Sequence, residues 1–398
     1  MIASITRRGL TTVALGLAGS LLCGAPCAAQ QGSDAVLRAM TRGVSALAER
    51  DWPTAEHALD AAVASIGEVW GGTPEASRAR SLWYEESVKP FKGDPYERMM
   101  AFYYRGLLFL HAGDFGNAQA AFRNSVQQDA FAEEEQYNDD VVAPLFLQGF
   151  ALHAQGSRGA AREVYSIVHK RRPDFSVPDA EAAPPNTMVI IETGKGPRKV
   201  ADGIGSYKLR FFRGKGFTET RATVAVDGAA PTLVYPMEDV YFQAATRGGR
   251  PLDYVFEGKA QFADRNAALG GALTSVASAL AIQKYNNNDG SANTTMGRIG
   301  DAANVIGIAA LALSVKAKPA VDVRYWDNLP DAIHVLPLML SPGKHSIHVA
   351  FATASGEPVA SLAQDFTLDV IATAPPQLMW VSSQPRLSRY LPTGVSLK

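Results

Sequence analysis

The chain has 398 residues, with 38 basic and 39 acidic side chains and a formal net charge of −1. That balance, without any basic stripe, argues against nucleic acid as a partner. A chain of this length suggests two or three domains.

Residues 1–29 read as a signal peptide. Arg7 and Arg8 supply the positive start, residues 10–22 are apolar and uncharged, and small residues lead to Ala28-Ala29. The apolar run is shorter than the ~20 residues a membrane span needs, so cleavage after Ala29 is expected rather than anchoring. Thr6-Arg7-Arg8-Gly9-Leu10 also resembles a twin-arginine signal. Cleavage would leave 36 basic against 39 acidic residues, a net charge of −3. It would also remove both cysteines, Cys23 and Cys27, and with them any disulfide, thiolate metal site or cysteine nucleophile. Cys23 follows Leu22 and Cys27 follows Pro26, so neither sits after the small residue that lipidation needs. The expected location is the periplasm or the periphery of the outer membrane, without a lipid anchor.

Residues 30–175 carry an internal repeat of helical hairpins that resembles the tetratricopeptide (TPR) pattern. The fullest copy is Phe102, Gly106, Phe109, Ala118 and Phe122, with Gly113-Asp114-Phe115 at its turn. A second has Leu145, Gly149, Leu152, Ala161, Tyr165 and Pro173. A third has Gly43, Ala55, Leu59 and Ala62, with Asp51-Trp52 at the turn. The step from glycine to alanine is twelve residues in all three. These small residues should lie where paired helices cross, with the aromatics filling the space beside them. The crossing glycines are 63 and then 43 residues apart, against the ~34 of a regular array. The first gap holds Gly71-Gly72-Thr73-Pro74 and residues 89–95. The second holds Glu133-Glu134-Glu135 and Asp139-Asp140, read as a solvated helix end.

A proline-bearing stretch, 176–186, reads as a linker. Beyond it the period changes from helical to alternating. Residues 187–193, 207–212 and 221–226 are predicted strands, Asp227-Gly228 a turn, 232–235 the returning strand and 238–246 a short helix. Two apolar segments, 267–282 and 302–315, flank Asn286-Asn287-Asn288-Asp289-Gly290 and predict a helical hairpin buried against the sheet. Residues 346–353 and 366–371 are predicted strands around the turn Ser355-Gly356-Glu357-Pro358. The tail from 374 to 398 is proline-containing, and order is expected in only part of it. The expected fold class is α+β: TPR-like hairpins, then a β-rich, sandwich-like region at 187–373 with an apolar hairpin inserted at about 267–315.

Several stretches carry a wider resemblance. They are Lys89-Pro90-Phe91-Lys92-Gly93-Asp94-Pro95-Tyr96-Glu97-Arg98, Tyr104-Arg105-Gly106 and Glu192-Thr193-Gly194-Lys195-Gly196-Pro197-Arg198-Lys199, with Thr246-Arg247-Gly248-Gly249-Arg250-Pro251 and Arg324-Tyr325-Trp326-Asp327-Asn328-Leu329-Pro330. In these the chain resembles a TPR-containing family of Gram-negative envelope proteins, many of them described as lipoproteins. The resemblance implies an envelope location, no enzymatic activity and a link to systems that assemble or regulate surface structures. It supplies no catalytic residues. The weak lipidation signal departs from it.

Residues suited to chemistry are few. Gly194-Lys195-Gly196-Pro197-Arg198-Lys199 has glycines and cations for a phosphate or carboxylate, but lacks phosphate-loop spacing, and Pro197 removes a donor. A loop docking its cations on the helices is the plainer reading. His345 and His348 fall on opposite faces of a predicted strand, so they do not form a zinc pair. Asp289-Gly290 lacks the flanking ligands of a calcium loop. No Gly-x-Ser-x-Gly elbow occurs. Glu85-Glu86 and Glu192 read as solvated helix surface rather than a glycosidase pair.

The sequence therefore predicts a non-catalytic scaffold without cofactor or metal, binding an envelope protein in the concave groove of its TPR-like array. Lys195, Arg198, Lys199, Arg247, Arg250 and the insertion at 83–96 are the candidate contact residues. Two other readings are a membrane-active protein inserting the 267–315 hairpin and a cell-wall carbohydrate-processing protein.

Overall fold

The computed structural model describes residues 34–69, 91, 93–129, 141–202, 208–246 and 322–384. The predicted signal peptide with both cysteines, Glu85-Glu86, the acidic runs at 133–135 and 139–140, Arg247, Arg250 and the apolar hairpin at 267–315 lie outside them. Among the described residues no helix is long and apolar enough to cross a membrane.

Among the described residues helices come first, in three hairpins: α1 (Ala35–Ala48) with α2 (Trp52–Val69), α3 (Pro95–His111) with α4 (Phe115–Asp129), and α5 (Ala143–Ala154) with α6 (Arg158–Arg171). One local rule builds all of them. The first helix carries a glycine that the second helix covers: a Cβ on Gly43 would lie 2.6 Å from Leu59 Cγ, on Gly106 2.5 Å from Phe122 Cε1, and on Gly149 2.7 Å from Tyr165 Cε1. Ala55, Ala118 and Ala161 are wholly buried beside these crossings. Seven residues after each glycine the chain turns through the left-handed region, at Arg50 (φ 61°), Gly113 (φ 73°) and Gly156 (φ 79°).

The hydrogen bonds at these turns match as well. Arg50 N donates to Leu47 O and Asp51 N to Ala46 O. Gly113 N donates to Leu110 O and Asp114 N to Phe109 O. Gly156 N donates to His153 O and Ser157 N to Leu152 O. This paired pattern satisfies carbonyls that a helix end leaves open. Asp51 and Asp114 then cap the second helices, accepting from Thr54 N (3.2 Å) and Asn117 N (3.0 Å). Phe102 and Phe109 pack at the margin of the core, and the Arg105 guanidinium covers the Phe109 ring at 3.7 Å.

The strands follow: β1 (Thr187–Thr193), β2 (Arg198–Asp202), β3 (Lys208–Phe212), β4 (Glu219–Val226), β5 (Thr232–Val234) and β6 (Pro236–Asp239). After the short helix α7 (Val240–Ala245) come β7 (Ala332–Leu338), β8 (Gly343–Thr353), β9 (Gln364–Val370) and β10 (Gln377–Ser382). One sheet has the order β10-β1-β7-β6 and another β5-β4-β8-β9, with β2 and β3 forming a separate pair. The β4–β5 connection turns at Asp227-Gly228, both at positive φ.

β1 is buried along its whole length because it has two partners on its faces. Met188 and Ile190 point into the helical core, with Ile333 and Val335 of β7. Val189 and Ile191 point the other way, onto Ala222, Val224, Ile347, Val349 and Phe351 of the second sheet. The molecule is thus layered helices, sheet, sheet. The change of secondary structure near residue 174 is not a change of core. The proline-bearing stretch after it is fastened down: Ala180 is buried, Ala182 O meets His153 Nε2 at 3.0 Å, and Glu181 pairs with Arg162.

β2, β6, β7 and β10 lie outside the strands that the sequence predicts. β10 lies inside the expected tail, running parallel to β1 as an edge strand.

Candidate functional site

α3 and α5 pack on the first sheet, α1 is held on the 322–330 stretch that leads into it, and buried polar groups concentrate at that junction. α3 begins at Asp94, with Pro95 in its first position and Glu97 returning its carboxylate to Asp94 N (2.7 Å). Lys199 of β2 reaches into this helix start. Its Nζ lies 2.5 Å from Asp94 Oδ2 and 2.6 Å from Glu97 Oε2, and the other Glu97 oxygen accepts from Trp326 N at 2.7 Å. Lys199 and Glu97 are buried, so water screens neither. Burial, opposed by Lys199, pushes the Glu97 carboxyl above its usual range. Burial pulls Lys199 down, but Asp94 and Glu97 more than offset it and hold the ammonium above its usual value. Beyond Trp326, its indole Nε1 donates to Asn328, and Asn328 Nδ2 donates to Thr41 O and Ser45 Oγ of α1. Three stretches far apart in sequence, 91–98, 194–199 and 324–330, thus meet at one place.

Other buried carboxylates are also engaged by the chain's own groups. Glu192 of β1 accepts from Tyr103 (3.3 Å) and Tyr104 (2.9 Å) of α3. Glu238 of β6 accepts from Val142 N and Ala143 N at the start of α5, where the helix dipole favours a negative charge, and from Gln243 Nε2. Burial disfavours the charge on Glu219, but donors from Ser383, Gln384 and backbone N–H groups hold its pKa below the usual range. Arg213 bridges Asp331 (2.5 Å) and Asp239 (2.7 Å). Burial still pushes Asp331 up to about 6 against the pull of Arg213.

These contacts correct several expectations. Lys199 is no partner contact, because its charge is spent inside the molecule. Phe91 and residues 93–96, the described part of the 83–96 insertion, are buried. Glu192 is not solvated helix surface; it is a buried strand residue between two tyrosines. The inner face expected to hold a partner's peptide is filled by the chain's own β half, through Tyr103, Tyr104, Asn328 and Glu238. The 194–199 loop is not an open anion cradle: Gly194 N donates to Glu219 and Ser383, and Gly196 N to Leu329 O. Lys195 remains exposed, and Arg198 is half-buried against the Phe212 ring.

One trio resembles a nucleophile, base and acid. Asp227 Oδ2 lies 2.6 Å from His345 Nδ1, and Ser341 Oγ lies 3.5 Å from His345 Nε2. The same Nε2 sits 2.7 Å from the Ser341 carbonyl oxygen, so both ring nitrogens face acceptors. Asp227 and that carbonyl raise the imidazole pKa. His345 thus clasps the β4–β5 turn to β8, and its Nε2 is engaged by the Ser341 carbonyl oxygen rather than poised on the serine hydroxyl. His348, on the opposite face of β8, pairs with Asp365 on the surface.

Residues that sequence reasoning passed over include Glu97, Tyr103, Trp326, Glu219, Glu238 and Asp331. Asp94-Pro95-Tyr96-Glu97 carries a legible helix-start signal. The partners of the other carboxylates are distant in sequence and leave no local trace. Compared with known proteins, the chain matches no family model, no curated protein and no solved structure.

Proposed function

We propose that the protein is an exported, non-catalytic interaction scaffold of the bacterial envelope, whose TPR-like hairpins bind a protein partner. One observation carries the reading: the three hairpins keep a common register, with a covered glycine and a left-handed turn seven residues later. Such stacked hairpins serve as binding surfaces in repeat proteins. The buried carboxylates described above support it, since each is held by the chain's own donors. With the inner faces of α3 and α5 packed on the sheet and α1 held on the 322–330 stretch, the surface left to a partner is that of the second helices, α2, α4 and α6. α6 exposes Ile167 at 40% among Arg162, Glu163 and Lys170, an apolar centre with a polar rim. Export rests on residues 1–29 and lets the partner be another envelope protein.

In-cell crosslinking and affinity capture from the envelope fraction tests this, with wild type and Ile167→Glu side by side. A protein captured by wild type and lost from the folded variant is the expected result. Capture of nothing specific, or a protein confined to the cytoplasm, overturns it.

A further inference from the structure

A recess of about 200 Å³ opens where the α1–α2 turn meets the ends of β9 and β10. Its walls are Arg50, Trp52, Gln364, Phe366, Trp380 and Gln384. Arg50 occupies the left-handed turn position that is glycine in the other two hairpins. A non-glycine residue there is strained, and strain of this kind concentrates where a side chain has work to do. Its guanidinium lies 5.8 Å from the Phe366 ring centroid and forms no ion pair among the described residues. Asp51, next to it, is turned away to cap α2. Gln364 Nε2 donates to Ser382 O and Gln384 Nε2 to Glu219, so each amide is oriented by the chain. Their Oε1 atoms have no partner among the described residues.

We propose that this recess binds one carboxylate-bearing sugar residue of an acidic saccharide. The guanidinium fork matches a carboxylate, which it can engage with two parallel hydrogen bonds. One face of the Trp52 indole stacks on His111 at 3.8 Å, and Phe366 and Trp380 supply the aromatic surface for the C–H face of a pyranose. The two glutamine oxygens accept from ring hydroxyls, which an aromatic acid of the same charge lacks. The volume is below that of a drug-sized pocket and suits a single ring. This site is independent of the protein-binding reading of the helices.

Ligand-observed NMR on the full chain with D-glucuronate, D-glucose and benzoate tests the proposal, using wild type, Arg50→Gly and Gln364→Leu. Glycine is already native at the two equivalent turns, so Arg50→Gly keeps the backbone. The expected result is glucuronate binding preferred over glucose and benzoate, weakened at least tenfold by Arg50→Gly and severalfold by Gln364→Leu. No binding of glucuronate, equal binding of glucose or benzoate, or unchanged affinity in Arg50→Gly overturns it.

Discussion

Gly106 and Phe122 approach so closely that a methyl group on the glycine would sit 2.5 Å from the ring. Real side chains do not tolerate that distance, so Gly106→Ala must push the ring or part α3 from α4. A cost of about 1–3 kcal/mol is expected, the range for overpacking a filled core. Gly159, near the start of α6, has nothing within 4 Å of such a methyl. Gly159→Ala should therefore stabilise by up to about 1 kcal/mol through helix propensity. Urea unfolding of the two variants gives opposite signs if the crossing is as described.

Lys199 is shared by two buried carboxylates, Asp94 and Glu97. Lys199→Met keeps the stem's packing and removes the ammonium that Asp94 and Glu97 share. Breaking such a pair from one side costs about 3–5 kcal/mol. Chemical denaturation checks the loss, and adding Glu97→Gln to Lys199→Met should recover part of it. A loss below 1 kcal/mol would place Lys199 in water.

His334 is sealed between Thr193 Oγ1 (3.1 Å) and Val234 O (2.8 Å), and burial lowers its pKa to about 4. The carbonyl requires the proton on Nδ1, so the neutral ring accepts from Thr193. A lowered folded pKa means that the unfolded chain takes the proton first. Stability supplied by neutral His334 is full above pH 6.5 and is lost as pH falls toward 4, with about 2 kcal/mol going between pH 7 and 5. Asp331, raised to about 6, works in the opposite direction: its protonated form favours the fold as pH falls through the same interval. The two groups therefore partly offset each other, and His334→Gln should become more stable relative to wild type by about 2 kcal/mol on going from pH 7 to 5. Denaturant midpoints at the two pH values measure this difference.

Arg50 carries backbone strain that Gly113 and Gly156 avoid. Replacing it with glycine relieves roughly 1–2 kcal/mol of left-handed strain and gives back roughly 0.5–1 kcal/mol in chain entropy. Arg50→Gly is expected to raise stability by up to about 1.5 kcal/mol. A fall would mean that the side chain's contact with Phe366 holds the turn in place.

The helical half was legible because its signals are local. Glycine, alanine and aromatic recur at a fixed step, and the helix crossing needs them there. β1, β4, β8 and β9 were legible from their alternation or apolar runs. β10 was not, because Pro375 and Pro376 before it read as the start of a tail ordered only in part and its pairing with β1 is nearly 200 residues distant. The filling of the inner helical face was hidden for the same reason. Tyr103, Tyr104 and Asn328 look like ordinary polar residues until Glu192 and α1 are placed beside them. Arg50 could have been noticed: its place in the repeat, seven after the crossing glycine, is where a glycine stands in the other copies.

The most direct test of the scaffold reading is site-specific photo-crosslinking in living cells. Reporters would be placed at Arg123 and Ile167 on the outer helices and at Lys195 on the β-side loop. The account predicts that Arg123 or Ile167 captures a second envelope protein, and that Lys195 does not capture the same one. Silence at both helical positions, with capture at Lys195 alone, would contradict the assignment of binding to the repeats.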